Sequence, residues 1–77
     1  MKHARKDYNK RIQDNEGRIP ANEPVFLIRG QDKVGADTVR AWAKLNREAG
    51  GDPSLSTRAM AHARKMEAWP KKKLADA

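Results

Sequence analysis

The densest apolar run in this chain is only four residues long, Val25-Phe26-Leu27-Ile28. It is preceded by Pro20 and Pro24 and passes directly into Arg29-Gly30-Gln31-Asp32. The two prolines fix their own φ angles and bias Ile19 and Glu23 toward extended backbone, so the chain enters the run already stretched. Three of its four residues are β-branched or aromatic, which favours a strand over 24–30. Four apolar residues carry little periodicity, and a short helix capped by Asn22 is the competing reading. In a strand, Val25, Leu27, Arg29 and Gln31 share one face, while Phe26, Ile28 and Asp32 share the other.

A lone strand leaves its backbone donors and acceptors unpaired, and no other segment has comparable strand character. Its neighbour must be a weaker local segment or another copy of the chain. The thin supply of apolar side chains points to copies: of 77 residues, 38% are hydrophobic and 35% charged, and small domains commonly need disulfides, a metal or a partner subunit. Cysteine is absent, which removes disulfides and thiolate ligands together. His3 and His62 are too few for a zinc site, so no metal is expected. The expectation is therefore a homo-oligomer, with a core drawn from Val25, Phe26, Leu27, Ile28, Val39, Trp42, Ala43, Leu45, Leu55, Ala59, Ala63, Met66 and Trp69.

Around this stretch the chain divides into a basic N-terminal arm (1–18), one small domain (19–70) and a basic tail (71–77). The arm carries six basic and three acidic side chains, and Tyr8 and Ile12 form its only apolar stripe; it reads as a frayed arm or a marginal helix that orders on contact. Asp37 is the expected N-cap of a helix over 37–49 that ends at Gly50-Gly51. On it Val39, Trp42, Ala43 and Leu45 gather on one side, while Arg40, Lys44 and Arg47 follow the opposite side. Asp52 and Pro53 start a second helix over 53–69, with Pro70 as its stop and an inward stripe of Leu55, Ala59, His62, Met66 and Trp69. The fold class expected is mainly α with one short strand: an αα-hairpin plus an extended apolar segment, completed by oligomerisation. Lys71-Lys72-Lys73 reads as a solvated end or a source of nonspecific phosphate attraction.

No recognisable Ser/His/acid spacing, phosphate loop, metal-spaced histidine pair or cysteine nucleophile is present, so the chain is read as non-enzymatic, without catalytic residues or cofactors. A net charge of +7 points to an anionic partner. The candidate ligand-binding residues are Arg29, Gln31 and Asp32, which combine a forked donor, an amide and a carboxylate at the exit of the strand, with Arg40 and Lys44 adding charge from the neighbouring helix. An Arg29 paired with Asp32 or Glu23, pinning the corner, is the alternative for the same residues. Nucleic-acid binding through the two basic ends, and docking on a host protein through Trp69 and Met60, are the other partner classes considered. No apolar stretch is long enough to span a bilayer and no signal-peptide core follows the N-terminus, so a cytoplasmic location is expected.

The text I-P-A-N-E-P-V-F-L-I-R-G-Q-D followed by T-V-R-A-W-A, over Ile19 to Ala43, resembles a group of small phage and prophage accessory proteins. Those proteins have an IPxxEPVFxxRxQD stretch before a tryptophan-bearing helix. The resemblance implies a short accessory protein in a bacterial host cytoplasm, one that neutralises a host component by blocking an enzyme or by sequestering a nucleotide signal of antiviral defence. It carries no residue roles across.

Overall fold

A computed structural model describes residues 1–76. In chain order the elements are β1 (Lys2–His3), α1 (Tyr8–Arg11), β2 (Pro24–Val25), α2 (Gly35–Glu48) and α3 (Pro53–Ala68). The chain is mainly helical, and α2 and α3 form the expected hairpin.

The apolar run finds its neighbour within the chain. Lys2 pairs with Pro24 and His3 with Val25 in a two-stranded parallel sheet. The strand expected over 24–30 is thus reduced to Pro24–Val25. β1 ends at His3, where the chain turns through Ala4–Asp7 into α1, so the ladder has nothing to continue along Phe26–Arg29. The weaker local segment that completes the sheet is the N-terminal arm, which is anchored by Tyr8, only 5% exposed.

The helix expected from Asp37 begins two residues earlier, at Gly35. The backbone N–H of Val34 donates to Asp32 Oδ1 at 3.0 Å and that of Gly35 to Asp32 O at 3.0 Å. This turn on Asp32 sets α2 going before Asp37 is reached. Asp37 instead lies in the first turn and pairs with Arg40 at 3.0 Å. At the other end Gly50 adopts φ +83°, the left-handed stop that its position calls for. Asp52 then caps α3, accepting from the Ser54 N–H at 2.9 Å, with Pro53 at the first helical position. α3 ends at Ala68, and Trp69 is already extended.

The core is smaller and built from smaller side chains than the sequence leads one to expect. Ala36, Ala63 and Met66 form the buried cluster, with Ile28 and Val39 packed against it; Ala43 is buried nearby. Phe26 at 75%, Leu45 at 62% and Trp69 at 54% are exposed, as are Leu27, Trp42 and Leu55, and Val25 and Ala59 are half-buried. The reason is close helix approach. α3 meets α2 along Ser56, Ala59, Ala63 and Met66, one position round from the expected stripe, so Leu55 flanks the contact and His62 faces out. Small residues let two helix backbones come near each other, and the large side chains are displaced to the rims of the contact.

A polar knot fixes the α2–α3 corner. Ser56 Oγ, 1% exposed, donates to Ala43 O at 3.0 Å and accepts from Asn46 Nδ2 at 2.9 Å. The Asn46 side chain also packs against Gly51, where a Cβ would lie 2.0 Å from Asn46 Oδ1. The basic tail is not simply solvated. Lys72 Nζ donates to Gly30 O at 2.7 Å and to Met66 O, and Lys73 pairs its backbone with the 31–33 turn.

Candidate functional site

The β2–α2 connection, residues 26–34, is held by backbone contacts from three directions. Within it, the Asp32 N–H donates to Arg29 O at 3.1 Å. From the tail, the Lys73 N–H donates to Gln31 O at 2.8 Å and Lys73 O accepts from the Lys33 N–H at 3.0 Å. From α2, Gly35 presses so close that a Cβ there would sit 2.8 Å from Arg29 O and 3.0 Å from Ile28 Cγ2. A turn fixed at this many backbone points presents its side chains in a set direction.

Those side chains edge two adjoining hollows. The first, about 130 Å³, is walled by His3, Arg5 and Tyr8 from the N-terminal segment, by Phe26 and Leu27 from the apolar run, by Arg29, Gln31 and Asp32 from the turn, and by Lys73, Ala75 and Asp76 from the tail. The second is an open groove where Arg29, Gly30 and Gln31 face His62, Lys65, Met66 and Trp69 of α3 and its C-terminal end. Arg29 and Gln31 form the ridge between the two.

Charge in the first hollow is unequally committed. Arg5 pairs with Asp7 at 3.1 Å and reaches Asp76, with 3.8 Å between the charged groups and a 3.0 Å hydrogen bond to its backbone O. Lys73 Nζ pairs with Asp76 at 3.1 Å. These contacts hold the Asp7 and Asp76 carboxyls below the usual carboxylate range, through the hydrogen bonds from Arg5 and Lys73 respectively, and they raise Arg5 through its bond to Asp7. The Asp32 carboxylate is occupied with the Val34 N–H. Arg29, by contrast, forms no ion pair among the described residues, with Asp32, Glu23 or any other acid. A pinning role for Arg29 through such a pair is therefore not what the structure displays.

Aromatic stacking shapes the N-terminal wall. Two guanidinium groups lie over the Tyr8 ring, Arg5 at 5.2 Å and Arg11 at 5.5 Å from its centroid. The His3 ring meets it edge-on at 6.1 Å. His3 is held from behind by its backbone N–H, which donates to Asn9 Oδ1 at 2.8 Å.

The five candidate residues do not converge. Arg29, Gln31 and Asp32 stand together, whereas Arg40 and Lys44 line a separate groove with Ala41, Arg47, Glu48 and Met60 on the α2–α3 face. Arg40 is also spoken for, with Glu67 at 2.7 Å and Asp37 at 3.0 Å; the Glu67 bond raises its pKa above the ordinary arginine value. Trp69 and Met60, the expected docking pair, likewise line different hollows. His3, Tyr8, Lys73 and Asp76 are wall residues that sequence reasoning passed over. Their proximity comes from a two-residue strand and a returning tail, and neither leaves a periodic mark. Among the described residues no cluster of His, Asp and Glu gathers at metal-binding distance, and no helix is long and apolar enough to cross a membrane. Comparison with protein-family models, with curated proteins and with solved structures finds no match.

Proposed function

We propose that this protein is a non-catalytic binding protein that holds a small anionic ligand at the Arg29-Gln31-Asp32 turn. One observation carries the reading: Arg29 is a guanidinium on a backbone-locked turn, edging two hollows, with no acid among the described residues paired to it. An arginine fork of this kind matches a carboxylate or phosphate in two parallel hydrogen bonds. Gln31 beside it can donate or accept, which helps fix a ligand's orientation.

The narrower form of the proposal is a nucleotide, sequestered and not turned over. Its support is the resemblance of the 19–43 stretch to phage accessory proteins, together with aromatic walls on either side of Arg29, namely Tyr8 and Phe26 in one hollow and Trp69 in the other. On this reading the ligand is a host signal of antiviral defence and the protein acts in a bacterial cytoplasm. Self-association belongs to the same proposal. Phe26 edges the first hollow yet is 75% exposed, so a second copy seated on it would also cover the ligand. Nucleic-acid binding through the basic ends is less well supported, because Arg5, Arg11, Arg18 and Lys73 are engaged by acids within the chain.

The test is to purify the protein from phage-infected bacteria, heat it and analyse the supernatant by mass spectrometry. A phosphate-bearing small molecule, released near one per chain and absent from Arg29→Ala, is the expected result. A clean supernatant, or equal release from the variant, contradicts the reading.

A further inference from the structure

The open groove on the far side of the Arg29 ridge differs from the first hollow in its charge. Arg29, Gly30 and Gln31 form one bank, His62 and Lys65 of α3 with Trp69 just beyond it form the other, and no acidic residue lines it. The banks are pressed together. A Cβ on Gly30 would lie 3.5 Å from both Met66 Cα and Trp69 Cβ, and Lys72 Nζ bridges Gly30 O and Met66 O. Trp69 nevertheless remains 54% exposed, so its indole is open to a guest.

The basic bank continues along α3. Residues three and four apart share a helix face, so Arg58, His62 and Lys65 form one stripe spanning about 10 Å along the helix axis. All three are exposed. Neither Arg58 nor Lys65 has an ion pair among the described residues, and Glu67, the one acid of α3, is turned to Arg40 of α2. The α2–α3 groove lacks this combination: it carries Lys44 and Arg47, but Glu48 lines it too, Arg40 is already paired and no aromatic ring is present.

A row of unpaired cations with no acid between them suits a polyanion. An acidic amphipathic helix would need an apolar seam at three- and four-residue steps, whereas the middle of this stripe is cationic and its large exposed apolar side chains, Leu55 and Trp69, stand at opposite ends. Single-stranded nucleic acid meets both features, because its phosphates follow a basic groove and its unpaired bases stack on aromatic rings. A duplex keeps its bases stacked on one another and offers the indole nothing. We infer that Arg58, His62 and Lys65, with Trp69 and Arg29, form a track for single-stranded nucleic acid. Phosphates lie against Arg58, Lys65 and Arg29, and one base stacks on Trp69. The track goes beyond the small-ligand site, with which it shares the Arg29–Gln31 ridge, and its test leaves that ridge intact.

Fluorescence anisotropy of the full chain with a labelled oligothymidylate, and with a labelled duplex of the same length, tests this. The single strand is expected to bind at least tenfold more tightly than the duplex. Arg58→Ala with Lys65→Ala lowers that affinity at least tenfold and, by removing two phosphate contacts, reduces the slope of log affinity against log salt by about 1.4. Trp69→Ala lowers the affinity at least threefold and leaves the slope unchanged, as a lost stacking contact does. Lys44→Ala with Arg47→Ala, which takes the same two charges from the other groove, changes the affinity less than threefold. The replaced side chains are exposed, and circular dichroism of each variant is expected to match wild type. Equal losses in the two double variants, or a duplex bound as tightly as the single strand, overturn the inference. So does an oligothymidylate that fails to bind; polyglutamate bound in its place would assign the stripe to an acidic protein.

Discussion

Ser56 shows how much one small residue decides in this chain. Its hydroxyl passes a hydrogen bond from Asn46 on to the Ala43 carbonyl within the α2–α3 contact. Ser56→Ala removes both bonds and leaves the Asn46 amide with only the Asp52 carbonyl, 3.4 Å away. The expected cost is about 1–2 kcal/mol. In a domain of this size that lowers the melting temperature by about 4–8 °C per kcal/mol, which differential scanning calorimetry reads directly. A melting temperature unchanged within a degree would show that the knot is not structural. The stripes 55-59-62-66 and 56-59-63-66 have nearly the same helical spacing, so periodicity does not choose between them. Hydrophobicity favours Leu55 over Ser56, but close packing reverses that order. Arg29 and Gln31 were legible as a polar pair at a fixed position because prolines and an apolar run lead to them. That no described acid pairs with Arg29 was not, since it depends on Asp32 being taken by a backbone N–H.

At the scale of elements, the sequence is legible where the signal is local. Asp52-Pro53 starts α3, Gly50 stops α2, and the two helices pair as a hairpin, each through residues within a few positions of the boundary. The strand is shorter than its sequence suggests because a strand's length is set by its partner, and β1 offers only Lys2 and His3. The helix starts ahead of Asp37 because Asp32, three residues before Gly35, accepts the N–H groups of Val34 and Gly35. Gly35 tests this element most sharply. Its substitution by alanine drives a methyl group against Arg29 O at 2.8 Å and Ile28 Cγ2 at 3.0 Å, displacing the turn from the helix. Gly35→Ala should destabilise the fold by about 1–3 kcal/mol in urea denaturation, even though alanine is the better helix former. A stability gain there would mean that the turn and α2 do not press together as described.

For the whole molecule, the radius of gyration is 13.7 Å, against roughly 11–12 Å for a compact chain of this length. With extents of 32 × 29 × 18 Å, the chain is a flattened body that leaves large apolar side chains on its faces, which supports self-association. The N-terminal segment, the β2–α2 turn and the tail meet around one hollow, and that meeting is what makes the turn a candidate site. Binding should therefore depend on Arg29 specifically and not on the net charge of +7. Lys44, in the separate α2–α3 groove, removes the same unit of charge when replaced. Isothermal titration of a nucleoside 5′-monophosphate into wild type, Arg29→Ala and Lys44→Ala at one ionic strength separates the two. A loss of more than tenfold for Arg29→Ala with less than threefold for Lys44→Ala is the result expected; equal losses in the two variants would contradict the account.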